Sequence, residues 1–358
     1  MNFNAPLLRS LRMLLFPLSI LYGLAVWIRN RLFDSNILKA ASFNLPIICV
    51  GNLSAGGTGK SPLVEFLIRL LKNRWQIAVL SRGYKRKTKG YALATSTTTA
   101  LEIGDEPMLF HIKFPDVAIA VGEQRIVAIP QILHDRPRTG AIILDDAFQH
   151  RSVKAGFNIL LTDYSNLYTR DWFLPTGDLR DEKGSYRRAQ VLIVTKCPPD
   201  LSETEREEIR KELNPLAHHR LFFTSIRYGV PYHIISRRPM PLQPGMEVLL
   251  VSGIANPGPL KNYLQDAVDA YYEITYRDHH IYSIDDWKEI KKRYENISAD
   301  RKIILTTEKD AVRLIKFAQE LQEFPVYVLP IDIQFLFNQE QAFTDLIIKF
   351  ITEFRPIT

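Results

Sequence analysis

The chain has 358 residues, 46% of them hydrophobic, a net charge of +7 at pH 7 and two cysteines. That length and apolar content support a large core and favour two domains over one, while two cysteines without metal-type spacing exclude a disulfide framework or a zinc site and suit a reducing compartment. The positive charge calls for an anionic partner, whether nucleic acid, phospholipid headgroups or a phosphorylated substrate, and does not choose among them.

From Met13 to Ile28 runs an uncharged, mostly apolar stretch with Arg9 and Arg12 before it and Arg29 and Arg31 after it. It is shorter than the roughly 20 residues of a bilayer span, Pro17 and Gly23 interrupt it, and no small-residue cleavage site follows. Residues 1–40 are therefore expected to form an N-terminal membrane-associated helix, lying in the interface and held to anionic lipid by its arginines. A core helix packed on the next domain is the alternative.

Apolar β-rich runs follow at 46–52, 77–81, 117–121, 141–146, 158–163 and 191–196. Strands apolar along their whole length are buried on both faces, so 41–229 is read as a doubly wound parallel α/β domain of P-loop NTPase type. Its first run opens PIICVGNLSAGGTGKSPLVEFL, strand, glycine-rich turn and amphipathic helix. In such a loop Ser54, Gly56, Gly57, Thr58, Gly59 and Lys60 cradle a nucleotide's phosphates, and the hydroxyl of Ser61 binds magnesium. Ser54 stands where glycine is usual. The run SRGYKRKTKG places Arg82, Lys85, Arg86, Lys87 and Lys89 together without an acid, as a solvated loop or a contact for anionic headgroups. In GDEP, the order Asp105, Glu106, Pro107 is equally that of a helix start and of a chemical site. AIILDDAFQH ends an apolar run on Asp145 and Asp146, the carboxylates a P-loop needs for its metal. Neighbours on an extended chain face opposite ways, so one would hold magnesium and the other serve substrate or loop. An Asp pair capping the next turn is the alternative.

The segment 230–246, with Pro231, Pro239, Pro241 and Pro244, reads as a linker or a short ribbon between domains, and a smaller α/β domain follows over 247–335, with strands at 247–253, 271–276, 301–307 and 326–332. There Asp278, His279 and His280 follow a strand, and TEKD at 307–310 is like a GTPase base-recognition motif without its asparagine. A terminal helix in 336–358 is free to pack on either domain.

Taken jointly and in this order, S-x-G-G-T-G-K-S-P, S-R-G-Y, G-D-E-P, D-D-A-F-Q-H, L-P-x-G-x-L-R, V-T-K, S-G-I-A-N-P, D-H-H and T-E-K-D resemble the tetraacyldisaccharide 4'-kinases (lipid A 4'-kinases) over almost the whole chain. The resemblance implies transfer of the ATP γ-phosphate to the 4'-hydroxyl of lipid A disaccharide 1-phosphate, giving lipid IVA, on the cytoplasmic face of the bacterial inner membrane, beside its phospholipids. It implies Asp105 and His279 as a catalytic pair, domain closure around the substrate, ATP and Mg²⁺ at the P-loop with Ser61, Asp145 and Asp146 on the metal, and Arg82, Arg125, Gln149 and Arg180 as substrate contacts. The chain departs from that pattern at Ala147 for glycine, Ser61 for threonine and Asp181 for glutamate. The rival class is a P-loop switch or metallochaperone-type GTPase. It leaves the apolar N-terminus and the basic run unexplained, and the charge shows no aromatic-interleaved face for nucleic acid. No obligate protein partner is inferred.

Overall fold

A computed structural model describes residues 12–355, so Arg9 and the two ends of the chain lie outside the described residues. The described chain forms two compact units, one reaching to Ile226 and resuming at Ile333, the other Arg227–Asp332.

The first unit is built on a nine-stranded sheet. Its strands in chain order are β1 (Ile47–Asn52), β2 (Ile77–Ser81), β3 (Ala92–Leu93), β4 (Ala118–Val121), β5 (Ala141–Asp145), β6 (Phe157–Asp163), β7 (Val191–Thr195), β8 (Arg220–Tyr228) and, after the second unit, β14 (Ile331–Phe335). They lie in the order β14-β8-β7-β6-β1-β5-β2-β4-β3. β1 pairs in parallel with both β5 and β6, bringing Val50 level with Asp145 and with Ile159. Alternation sorts the central strands onto two cores. Ile48, Val50, Ile143 and Ile159 pack with Leu63, Leu67 and Leu71 of the helix Lys60–Leu71. Ile47, Cys49, Ile142 and Leu160 pack instead with Ile129 and Ile132 of the helix Arg125–Asp135. This is the doubly wound arrangement, whose crevice opens at the carboxyl ends of the strands where the winding reverses beside β1. The terminal helix Glu340–Thr352 packs on the first unit through Phe343, Ile347 and Ile351.

The second unit has the strands β9 (Tyr232–His233), β10 (Glu247–Ser252), β11 (Ala270–Thr275), β12 (Lys302–Thr307) and β13 (Val326–Leu329), ordered β11-β10-β12-β13-β9. All pair in parallel except β9, which runs antiparallel to β13. The proline-bearing segment expected as a linker or short ribbon thus contributes an edge strand, where prolines cost no ladder hydrogen bond.

The helix Phe16–Asp34 inverts the usual pattern. Its buried residues are Ser19, Gly23 and Asn30, while Leu18, Ile20, Leu21, Leu24, Trp27 and Ile28 are exposed. It docks on the first unit through polar groups. Ser19 Oγ donates to Thr176 Oγ1 at 2.7 Å and accepts from the Thr176 N–H. The Tyr22 hydroxyl donates to the Arg180 carbonyl at 3.1 Å, and the Asn30 amide donates to Asp181 Oδ1 at 2.8 Å and Glu182 Oε1 at 3.0 Å. Arg151 binds the Asn30 carbonyl and Asp34. Because the large apolar residues point outward, the core-helix alternative does not hold. No helix among the described residues is long and apolar enough to cross a membrane.

Asn30 is fully buried, and truncating its side chain takes a donor from Asp181 Oδ1 and Glu182 Oε1 and one acceptor from Arg151 Nη1. Asn30→Ala is expected to cost about 1–3 kcal/mol, read as a lowered midpoint of urea unfolding; an unchanged midpoint would mean that this network does not hold the helix.

Candidate active site

The loop after β1 curls as a phosphate cradle does. Gly56 has φ 110°, and a Cβ at Gly56 or Gly57 would meet nothing within 4 Å, so the backbone there lines open space. Ser54 turns the other way, its hydroxyl donating to Asp171 Oδ2 at 3.2 Å, while the next N–H, of Ala55, bonds the Asp178 carbonyl at 2.6 Å. Its hydroxyl therefore straps the loop to the segment 171–181. Thr195 Oγ1 and Lys196 Nζ close the other flank by donating to the carbonyls of Thr58 and Gly57.

Lys60 and Ser61 open the helix behind the loop. Lys60 Nζ lies 3.1 Å from Asn52 Oδ1 and 3.5 Å from Asp146 Oδ1. Arg180 grips the same carboxylate with both Nη atoms and donates to Asn52 Oδ1 at 2.6 Å. Burial alone would raise the Asp146 carboxyl, but Lys60 and Arg180 overcome it and hold the group well below the usual carboxylate range. Asp146 reaches them because its backbone is left-handed, φ 49°. The extended-chain argument for opposite facing therefore stops at Asp145, which ends β5.

Asp145 is 3% exposed and accepts from Ser81 Oγ at 2.8 Å, while its Oδ1 has no partner. Burial, then Glu106 and Asp146, push its carboxyl up to about 7. Gly51 permits this closeness, since a Cβ there would fall 2.6 Å from Phe148 Cβ, in the turn that follows the two aspartates.

Asp105 and Glu106 are the first residues of the helix Asp105–Lys113, whose N-cap is Gly104 at φ 92°. Glu106 Oε1 accepts from Ser61 Oγ at 2.9 Å. Sequence reading left Glu106 open between a helix start and a chemical site, because a first-turn acid next to proline carries the same signature either way. The other expected side chains differ in how much they offer. Arg82 is exposed. Arg125 is fully buried, donating to the carbonyls of Gly122 and Asp145, so here it supports the end of β5. Gln149 donates to the Asn52 carbonyl and its own carbonyl accepts from Arg29 at 2.9 Å. Within the basic run, Arg86 is paired with Glu123 at 2.6 Å, so that run is not wholly unpaired. His150 is pushed down to about 4 by burial, then by Arg125 and Arg82, and is neutral at pH 7.

The P-loop, Glu106, the two aspartates and Arg180 come together in the first unit, while His279 belongs to the second. There Asp310 of the TEKD run, fully buried, accepts from the Gly253 N–H and the Tyr282 hydroxyl.

The profile of the family described as tetraacyldisaccharide-1-P 4'-kinase matches residues 11–352. The chain is 46% identical over 346 residues to a protein of Flavobacterium johnsoniae, covering 96% of this chain and 98% of that one. It is 44% identical over 354 residues to one of Bacteroides thetaiotaomicron, covering 95% and 93%. Both carry the name tetraacyldisaccharide 4'-kinase. Among solved structures it resembles LpxK from Aquifex aeolicus in complex with ATP, with a TM-score of 0.74 and 28% identity, covering 95% of this chain and 99% of that one.

The raised Asp145 carboxyl carries a pH signature. Its folded value of about 7 lies above the ordinary 3.8, so the folded state binds the extra proton between those values. Stability contributed by this group is therefore present at low pH, falls as pH rises through that window and stays lost above it. Asp145→Asn is expected to stabilise the nucleotide-free protein at pH 8 by more than about 1 kcal/mol, with a gain that shrinks towards pH 4 in thermal melts. A gain independent of pH would refute the titration.

Proposed function

The chain belongs to the tetraacyldisaccharide 4'-kinase family, and on that premise we propose that its P-loop cleft transfers the γ-phosphate of ATP to the 4'-hydroxyl of lipid A disaccharide 1-phosphate, giving lipid IVA. The chain is an ATP-dependent kinase of lipid A biosynthesis. One observation carries the reading within this site: Lys60 stands at the mouth of an open phosphate loop, its ammonium held by Asn52 and Asp146, where a transferring phosphoryl group develops charge.

Ser61 and Asp145, with Asp146 and Glu106 beside them, would hold Mg²⁺. The buried, unpartnered Asp145 Oδ1 is a hard oxygen donor of the kind this ion takes. An ion of this kind is bound by one or two carboxylates and otherwise by phosphates and water. Bound there, it supplies neutralisation of phosphate charge. Asp105 accepts or orients the proton of the sugar hydroxyl and His279 assists it, the roles of the matching family residues. Exposed Arg82 is the freest of the expected substrate arginines to meet the anionic 1-phosphate.

Lipid substrate also explains the inverted N-terminal helix. Its outward Leu18, Ile20, Leu21, Leu24, Trp27 and Ile28 would enter the acyl boundary of the cytoplasmic leaflet, with Arg31 at the headgroups.

Incubation with ATP and lipid A disaccharide 1-phosphate is expected to add one phosphate by mass. Lys60→Ala should lower kcat at least ~100-fold, and Asp105→Ala/His279→Ala should be hardly slower than the worse single variant. Near-normal turnover of the lysine variant would sink the phosphate-loop reading, and fully multiplicative losses the catalytic pair. Leu21→Asp/Leu24→Asp should abolish flotation with anionic vesicles while leaving ATP affinity unchanged; continued flotation would place the membrane contact elsewhere.

A further inference from the structure

The strap 171–181, which ties the phosphate loop to the N-terminal helix, carries one outward side chain. Every residue of it is buried or half-buried except Trp172, which is 55% exposed. The backbone there is fixed on both sides: the Trp172 N–H donates to Asp171 Oδ1 at 2.8 Å, and its carbonyl accepts from the Leu179 N–H at 2.8 Å. The next residue, Phe173, packs its ring on the helix, 6.2 Å from the Tyr22 ring and so close to Gly23 that a Cβ there would fall 2.8 Å from it. Trp172 instead meets Phe16 edge to face, with ring centroids 5.6 Å apart. Phe16 begins an exposed stripe, Phe16, Ile20, Leu24 and Trp27, that recurs at helical spacing. The indole therefore widens that stripe onto a second element.

We propose that Trp172 is a second membrane contact, which the strap sets beside the helix so that both enter the boundary between headgroups and acyl chains of an anionic phospholipid bilayer. This rests on the membrane reading of the helix and extends it to a separate part of the chain. The chemistry of the patch selects a bilayer as the occupant. An indole joins an apolar ring to one N–H donor, the combination that gathers at the level of lipid headgroups. Arg29 and Arg31, exposed towards the far end of the same helix, supply the charge that anionic headgroups attract. The apolar surface runs on without a break from the helix to Trp172 through Phe16, as one continuous face suits a lipid surface. The fixed backbone presents the ring without further loss of chain entropy on binding. Contacts from two elements then hold the first unit in one orientation on the bilayer.

The test uses the full-length protein. Both native cysteines are buried, so Trp172→Cys, Leu24→Cys and Arg138→Cys each offer one accessible thiol for an environment-sensitive NBD label. On vesicles of phosphatidylethanolamine and phosphatidylglycerol, the label at positions 172 and 24 should shift to the blue and be quenched by nitroxide-bearing lipid, while the label at position 138, on an exposed loop, should not respond. A response at 24 without one at 172 overturns the proposal and leaves the helix reading intact. A response at 172 alone keeps the strap contact and removes the helix's, and silence at both sinks both. A blue shift at 172 that grows with protein concentration in the absence of lipid would make the patch a contact between copies, and also overturns the proposal. Trp172→Ala should weaken partitioning into the same vesicles about 10-fold with ATP affinity unchanged, and Trp172→Phe should keep most of the binding. Undiminished partitioning of the alanine variant overturns it as well.

Discussion

One carboxylate, that of Asp146, organises the nucleotide site. Lys60 and Arg180 converge on it and on the Asn52 side chain, and two cations so close together repel unless an anion stands between them. Removing Asp146 would leave them facing each other with no counter-charge. Because Arg180 also donates its N–H to the Leu53 carbonyl, the carboxylate ties the end of β5, the start of the phosphate loop and the strap 171–181 into one unit. Each pair is partly exposed and modest alone; their shared geometry matters more than their sum, since it sets the lysine where phosphate charge develops.

The same strap carries the N-terminal helix. Tyr22 bonds the Arg180 carbonyl, and Asn30 bonds Asp181, whose other oxygen accepts from Arg188 at 3.0 Å. Asp181 is fully engaged here, accepting from Asn30, Ser185 and Arg188. A helix that uses Ser19, Gly23 and Asn30 as its contact face can present leucines outward without losing its seat. A protein surface otherwise avoids so large an apolar patch unless it meets a partner or a membrane.

Most of the frame was legible in the sequence because parallel strands are apolar end to end: the runs at 46–52, 77–81, 117–121, 141–146, 158–163 and 191–196 each match an observed strand to within a residue. β8 and β14 were not read. RLFFTSIRY mixes charge with hydroxyls, and Ile331–Phe335 joins a sheet from which a whole unit separates it in sequence. The strand, glycine-rich turn and helix of the loop were legible from spacing, whereas the burial of Arg125 was not, because it depends on carbonyls that only the folded chain brings to it. Glu106 was hidden by ambiguity, as a first-turn acid looks the same whether it faces solvent or Ser61.

Three side chains at strand ends share a conformation that no local pattern announces. Asp146 follows β5, Lys196 follows β7 and His279 comes soon after β11, with φ of 49°, 57° and 63°. None is glycine, and asparagine, the type that adopts this region most readily, accounts for Asn36, Asn214 and Asn338 instead. A left-handed residue just after a strand breaks the alternation of the pleat and re-aims its side chain, at about 1–3 kcal/mol each. In all three the re-aimed group finds a charged or polar partner: Lys60 and Arg180 for Asp146, Gly57 and Asp163 for Lys196, Arg313 for His279. The partners offset the strain, and the strain selects the direction. Glycine would relax the backbone but forfeit the group, and a β-branched residue would keep neither. Function at these ends therefore depends on a backbone state that the sequence specifies only through partners distant along the chain.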